Sequence, residues 1–277
     1  MKTLVIDRDT VTGEMINARL AKLGHQATYE AVKNDGIERL AQEAFDVVFV
    51  DPAPMNDAKA MALNIKRTSM NAVYMLRLAG DETLPPYDDV IAAGCNDVLR
   101  KPIDPQALEA KVNNASNLIQ FAEKLADTSE DFPSAGGVIA KSAFNQLFLS
   151  AIDRSGRYNE KTYILTIAID NYDEIKSMDG DYNAEYSASK MASHVVNLRR
   201  MSDIIGQTGQ NEYSILLQRV QKETEAIDAA KRFASSLDDV KDIVPEGGHK
   251  IMISINLLHI PSGEMPFTHL LKKYSEL

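Results

Sequence analysis

Cysteine is almost missing from this 277-residue chain. Cys95 stands alone, which excludes an intramolecular disulfide framework and predicts a reducing compartment. Positive charge is also short: 30 Lys and Arg face 40 Asp and Glu. The net charge of −10 is spread over both halves, which argues against nucleic acid or an anionic membrane as the main partner. No run approaches the roughly 18 apolar residues that mark a membrane-spanning helix, so no membrane insertion is expected. A strand pattern begins at Thr3, leaving no room for a signal peptide, and a cytoplasmic protein is the expectation. Internal repeats and low-complexity tracts are absent. His25, His194, His249 and His269 lack metal-ligand spacing and read as surface or structural residues.

The length suits two ordinary domains, and 44% hydrophobic residues supply enough material for two cores. In the first half, short apolar runs at residues 3–6, 27–29, 47–50, 73–76 and 98–99 alternate with helical patterns. Those patterns cover 11–23, 36–44, 57–67 and 87–93, then a long stretch from Pro105. Five buried-type strands alternating with five helices predict a doubly wound parallel sheet, in which chemistry gathers beyond the carboxyl ends of the strands. Asp7, Asp51 and Lys101 all fall there. Leu108, Val112, Ala115, Ile119 and Ala122 form a stripe at helical spacing that continues to about Leu125. The acidic and then Pro/Ser/Gly-rich residues 127–137 read as a linker.

Three segments of this half carry a resemblance: Leu-Val-Ile-Asp7, Val-Val-Phe-Val-Asp51, and Gly94 through Asp97 leading to Lys101-Pro-Ile-Asp104. Together they resemble response-regulator receiver domains, with a flavodoxin-like (βα)5 fold over residues 1–122. The resemblance implies that Asp51 is the phosphoacceptor, that Lys101 contacts the phosphoryl group, and that Asp7 and Asp51 help hold magnesium. Clustered carboxylates suit that hard cation, which neutralises charge during phosphoryl transfer. The sequence departs from the pattern in two places. Arg8 replaces the second metal-binding acid, with Asp9 one residue further on. The switch hydroxyl falls at Arg77 by strand alignment or at Ala79 by spacing to Lys101, and the aromatic switch position is Val98. Arg8 or Arg77 against Asp51 would mimic the active charge arrangement or simply neutralise the pocket. Either a phosphorylatable receiver or a pseudo-receiver used for dimerisation or docking follows.

In the second half, Ile204–Ile205 and Tyr213–Leu217 are β-type runs, and the polar residues 207–211 between them have turn chemistry. Gly209-Gln-Asn-Glu-Tyr213, with Arg200-x-x-Asp203 five residues before it, resembles the signature hairpin of GGDEF domains, the diguanylate cyclase family. An α+β nucleotidyl-cyclase-like domain over residues 137–277, after a linker at 123–136, is implied. Gly137, Lys141 and Phe144 match the family's opening motif. The strand Tyr163–Ile169 leads to Asp170, where the family carries two acids. Its metal aspartate is Ala168 here, while Asp170 keeps the second acid. The family's phosphate lysine falls at Asp173, its guanine-reading asparagine at Lys176, and its second metal acid at Asn211, followed by a retained Glu212. Gln210 replaces a glycine. With both metal carboxylates gone, the resemblance implies a degenerate, non-catalytic domain.

Arg-x-x-Asp is the family's inhibitory site for cyclic di-GMP, so Arg200 and Asp203 are implied as ligand residues, with Arg232 as a third. An arginine fork suits guanine O6 and N7, and a carboxylate accepts from the N–H edge. Three readings remain. The first is a cyclic di-GMP effector that couples the nucleotide to a protein partner, with a homodimer and a histidine kinase as further partners. The second is an adaptor without ligand, and the third is a weak cyclase.

Overall fold

The N-terminal strands at residues 2–6, 47–50 and 74–79 are buried on both faces and read as near-continuous apolar runs. The computed structural model describes residues 1–53, 57–80, 84–132 and 136–275. Part of the expected linker, residues 133–135, and the C-terminal residues 276–277 lie outside the described residues.

The chain divides into two compact units. The first comprises 1–120 with 153–159 and 261–264, and the second comprises 121–152, 160–260 and 265–277. In the first unit β1 (Lys2–Ile6), α1 (Thr10–Lys22), β2 (Gln26–Glu30), α2 (Lys33–Gln42), β3 (Val47–Val50), α3 (Ala58–Thr68), β4 (Tyr74–Ala79), α4 (Tyr87–Ala92) and β5 (Asp97–Arg100) alternate before α5 (Pro105–Ala126). The sheet order is β2-β1-β3-β4-β5 and every pairing is parallel. That is the flavodoxin-like order, which puts the strand-order switch between β1 and β3. Leu4, Ile6, Val48, Val50 and Met75 pack from the sheet against Leu40, Ala62, Ile65 and Val90.

β4 runs to Ala79, whose carbonyl accepts the Lys101 N–H at 2.8 Å. Ala79 is therefore the strand-end position. Arg77, the alternative by strand alignment, lies two residues earlier in register with Val50 and Val98, and it is buried. α5 continues to Ala126 with Leu125 buried, so residues 123–126 are helix rather than linker. The apolar stripe holds its spacing to that point, and a helix persists where its buried face does.

The second unit contains β6 (Val138–Ile139), α6 (Lys141–Tyr158), β7 (Thr162–Ile169), α7 (Tyr172–Asp179), α8 (Asp181–Leu198), β8 (Ile204–Gly209), β9 (Glu212–Leu217), α9 (Glu223–Asp239), β10 (Ile251–Ile260) and β11 (Phe267–Lys273). Its sheet order is β11-β10-β7-β9-β8-β6, antiparallel except for β6 beside β8. Ile167, Ile169, Ile215, Ile253 and Ile255 meet Ala184, Ala188 and Met191 of α8, and Ala226, Ala230 and Phe233 of α9. The alanines at helical spacing let both helices lie close to the sheet.

Phe144 and Phe148 of α6 are fully buried. A Cβ built on Gly206 of β8 would come within 2.6–2.7 Å of Phe144, so β8 needs glycine there. Gly206→Ala should overpack this contact and cost about 1–3 kcal/mol. The urea midpoint should fall at constant m-value, and Phe144→Leu in the same chain should recover part of the loss. An unchanged midpoint would show that Phe144 can move aside freely. Among the described residues no helix is long and apolar enough to cross a membrane.

Candidate functional site

In the first unit Asp7 follows β1 and Asp51 follows β3, the two strands flanking the switch point, and Lys101 follows β5. The structure joins all three. Lys101 Nζ lies 2.6 Å from Asp51 Oδ2 and 2.7 Å from Asp7 Oδ2. Asp51 Oδ1 also accepts the Ala53 N–H at 2.8 Å, and Asp7 Oδ1 accepts the Asp9 N–H at 2.9 Å. Burial raises the Asp7 carboxyl pKa above its usual range, against the pull of the Lys101 hydrogen bond. For Lys101, burial opposes the ammonium form, but hydrogen bonds to Asp51 and Asp7 outweigh it and raise the pKa.

Asp9 does not join this cluster. Its carboxylate caps α1, accepting the N–H groups of Val11 and Thr12 and the Thr12 hydroxyl at 2.6 Å. Those bonds, chiefly from Thr12, lower its pKa. Neither arginine takes the expected place against Asp51. Lys101 holds it, while Arg8 is exposed and, among the described residues, has no hydrogen bond or ion pair. The described residues also contain no group of three His, Cys, Asp or Glu side chains placed to hold a metal. Asp7 and Asp51 each turn Oδ2 to the Lys101 ammonium and Oδ1 to a backbone N–H, and Asp7 Oδ2 is buried with no hydrogen-bond partner beyond that ammonium. Lys33, which the sequence pattern does not flag, donates to the carbonyls of Pro52 (2.6 Å) and Ala53 (2.5 Å), the two residues after Asp51.

In the second unit the hairpin is tighter than its composition predicts. β8 extends through Gly209 with a register shift between Gln207 and Gly209, leaving Gln210 and Asn211 as the turn. Polar residues can stay in the strand because they pair across it: the buried Thr208 hydroxyl meets Ser214 at 2.8 Å and Glu212 Oε1 at 2.6 Å. Ala168 lies in register with Glu212 on one side and Ser254 on the other. The Asn211 side chain donates to the Ile169 carbonyl at 2.6 Å, and the Asp170 carboxylate accepts the Ser254 hydroxyl at 2.6 Å.

Glu212, the retained acid, is occupied by a cation from within the unit: Lys124 Nζ, near the end of α5, is 2.5 Å from its Oε2. Lys176 is exposed and 3.5 Å from Asp181, and Asp173 is exposed. A cleft of about 800 Å³ opens beside the hairpin, lined by Tyr172, Ser189, Ser193, Gln210 and Tyr213. Glu185, also unflagged by the sequence, is its one charged side chain among the described residues, and no cation lines it.

Arg200 and Asp203 share a turn without a side-chain ion pair among the described residues. Asp203 N–H donates to the Arg200 carbonyl at 3.0 Å, and the Asp203 carboxylate accepts the Arg200 N–H at 3.0 Å and the Ser202 hydroxyl at 3.3 Å. The acid is buried and fixes the turn, while the Arg200 side chain is exposed. Arg232 is half-buried beside the Phe233 ring, and its Nε and Nη2 are shielded from solvent with no hydrogen-bond partner. It is therefore not a fully extended surface arginine.

Among solved structures, the chain is similar to a delta-N form of PA1120 (TpbB or YfiN) from Pseudomonas aeruginosa comprising only the GGDEF domain. The identity is 19%, over 43% of this chain and 70% of that one, with a TM-score of 0.37. It is also similar to a putative response regulator from Chloroflexus aurantiacus J-10-fl, at 23% identity over 41% and 95% of the chains with a TM-score of 0.35. A CheY-like response regulator receiver domain from Methylobacillus flagellatus is 20% identical over 42% and 98%, with a TM-score of 0.37. No curated protein matches the chain. Residues 134–275, just over half of the chain, match the family model for the diguanylate cyclase GGDEF domain. The chain, in which a parallel 2-1-3-4-5 sheet precedes that segment, belongs to the diguanylate cyclase GGDEF family.

Proposed function

We propose that this protein is a non-catalytic cyclic di-GMP effector that binds the nucleotide at the Arg200–Asp203 turn and couples it to a protein partner. The observation that carries this reading is the contrast between the two polar sites of the second unit. The old metal positions are Ala168 and Asn211, and Glu212 is taken by Lys124. The Arg200 guanidinium, by contrast, stands exposed with no hydrogen bond or ion pair among the described residues, beside an acid the fold has already positioned. A carboxylate has about four acceptor positions, so Asp203 retains capacity for a guanine N–H edge.

Arg232 supports the same site. Lys190 of α8 meets Asp242 at 2.5 Å and His194 meets Ser236 at 2.9 Å, an antiparallel register in which Arg232, one turn before Ser236, falls beside the last turn of α8. That turn leads directly to Arg200. Its unpaired Nε and Nη2 are donors suited to a phosphate or a guanine oxygen. A ligand with two guanines and two phosphates can bridge two such surfaces, which favours a homodimer. On this reading the first unit is a receiver, with Asp51 as phosphoacceptor for a histidine kinase or as a docking pseudo-receiver.

Calorimetric titration with cyclic di-GMP tests the reading. Saturable binding is expected, and Arg200→Ala should weaken it by about 1–3 kcal/mol, roughly 5- to 150-fold. Asp203→Asn should cost less, because the amide oxygen can still accept the Arg200 N–H. If there is no saturable binding, or if Arg200→Ala binds like the parent, the reading fails and a ligand-free adaptor takes its place.

A further inference from the structure

One helix builds a whole wall of the cleft beside the Gln210–Asn211 turn. Along α8, Glu185, Ser189, Ser193 and Asn197 recur every fourth residue and line the cleft as one polar row. Ala188, Ala192 and Val196 form an apolar row beside it, and the two alanines leave the space open. The polar row runs about 18 Å from Glu185 to Asn197 at the helical rise, so the site is a groove with two different ends. At the Glu185 end two tyrosines complete the lining. Tyr172 is 4% exposed and Tyr213 7% exposed, and among the described residues neither hydroxyl has a hydrogen-bond partner. Buried hydroxyls are normally satisfied, so two unpaired ones on a shared space point to a ligand. Burial and then the charge of Glu185 raise the Tyr172 pKa, and burial and then Tyr172 raise that of Tyr213. Glu185, Tyr172 and Tyr213 therefore form one cluster. The other charges that reach Tyr172 are Lys176, Asp181 and Asp173, which leaves three acids against one base at this end. Glu185 itself is exposed and has no hydrogen bond or ion pair among the described residues.

We propose that this cleft binds a small organic cation, an alkylguanidinium or alkylammonium whose head pairs with Glu185 beside Tyr172 and Tyr213. Its apolar stem lies along Ala188, Ala192 and Val196. A carboxylate next to tyrosines holds such a head by a charge-assisted hydrogen bond and by attraction to the aromatic rings. The unpaired tyrosine hydroxyls offer further acceptors for its N–H groups. At the other end Ser193 and Asn197 supply neutral polar contacts for the far end of the ligand. The volume of about 800 Å³ falls in the usual range of small-molecule sites. A phosphate-bearing ligand is disfavoured, because Glu185 repels it and no cation lines the cleft among the described residues. The site is separate from the Arg200–Asp203 turn and does not rest on nucleotide binding there.

The test uses the full chain in EDTA, following backbone amide resonances as butylguanidinium chloride or butylammonium chloride replaces sodium chloride at constant ionic strength. Saturable shifts centred on Glu185, Ser189, Tyr172 and Tyr213 are expected with at least one of the two probes. Glu185→Gln should weaken that binding by about tenfold or more, the usual worth of a hydrogen bond to a charged group. Tyr172→Phe should weaken it several-fold and leave the denaturant midpoint unchanged, since its hydroxyl bonds nothing in the fold. Arg200→Ala should leave probe binding as in the parent, so this site and the nucleotide site can fail separately. Shifts that stay linear with both probes, or a Glu185→Gln variant that binds like the parent, would overturn the proposal. So would GTP in EDTA that saturates the same resonances and displaces the probe.

Discussion

Incubated with GTP and magnesium, the purified protein is expected to release no cyclic di-GMP. Phosphoryl attack at a triphosphate depends on divalent ions that bridge its oxygens and offset the charge developing in the transition state. One carboxylate position is the methyl group of Ala168 in β7, and another is an amide, Asn211, whose side chain is bonded to the Ile169 carbonyl. Glu212 survives as an acid, but its oxygens accept from Lys124 and from Thr208. Among the described residues, the adjoining cleft has Glu185 as its charged lining residue and no cation for phosphate oxygens. Each of these losses is several kcal/mol in the same transition state, where about 1.4 kcal/mol is a factor of ten in rate. Restoring Ala168→Asp and Asn211→Asp together should therefore still give no turnover, since Lys124 competes with metal at Glu212 and Gln210 lines the cleft. Product from the parent protein that EDTA abolishes would sink this expectation and return the weak-cyclase reading.

What the sequence made legible depended on whether a signal was local. Buried parallel strands such as Val47–Val50 read directly, because a continuous apolar run has few other homes. β4 read short, because Arg77 interrupts its run although the strand continues to Ala79. The hairpin misled for the opposite reason. Gly206 through Gly209 carry turn-type residues, yet they stay in β8 through cross-strand bonds of Thr208 and the close packing of Phe144 on Gly206. The edge strand β11 (Phe267–Lys273) has mostly exposed residues and therefore no apolar pattern to announce it. Asp7, Asp51 and Lys101 were placed together by topology alone, since strand ends of a doubly wound sheet converge. The partners of the other acids were not readable. Lys124 is 88 positions from Glu212, and no periodicity encodes that pairing. Asp9 lost its pocket role to a short-range competitor, the N-terminus of α1, which any carboxylate at an N-cap will satisfy first.

Lys101→Met should destabilise the first unit by about 3–5 kcal/mol, the usual result of removing one partner from a buried ionic cluster. The Asp7 side chain is fully buried and Asp51 is 17% exposed, so both carboxylates would be left without their shared cation where water can barely replace it. The pH dependence separates this electrostatic cause from lost packing. In the parent, the raised Lys101 pKa contributes stability that is complete below the unfolded lysine pKa and is lost only as pH rises through the still higher folded value. That contribution is flat across neutral pH. The raised Asp7 pKa has the other consequence: the folded state takes up a proton more readily than the unfolded chain, so ionising Asp7 costs stability as pH rises through the folded value. Without Lys101 the Asp7 carboxyl should move further up, and Lys101→Met should lie nearest the parent in mildly acidic solution and diverge towards neutrality. Asp7→Asn in the Lys101→Met background removes the buried charge and should recover much of the loss at neutral pH. Denaturant midpoints across pH check this. A deficit that is constant with pH and untouched by Asp7→Asn would mean that Lys101 matters for its packed alkyl chain rather than for the charge it shares between Asp7 and Asp51.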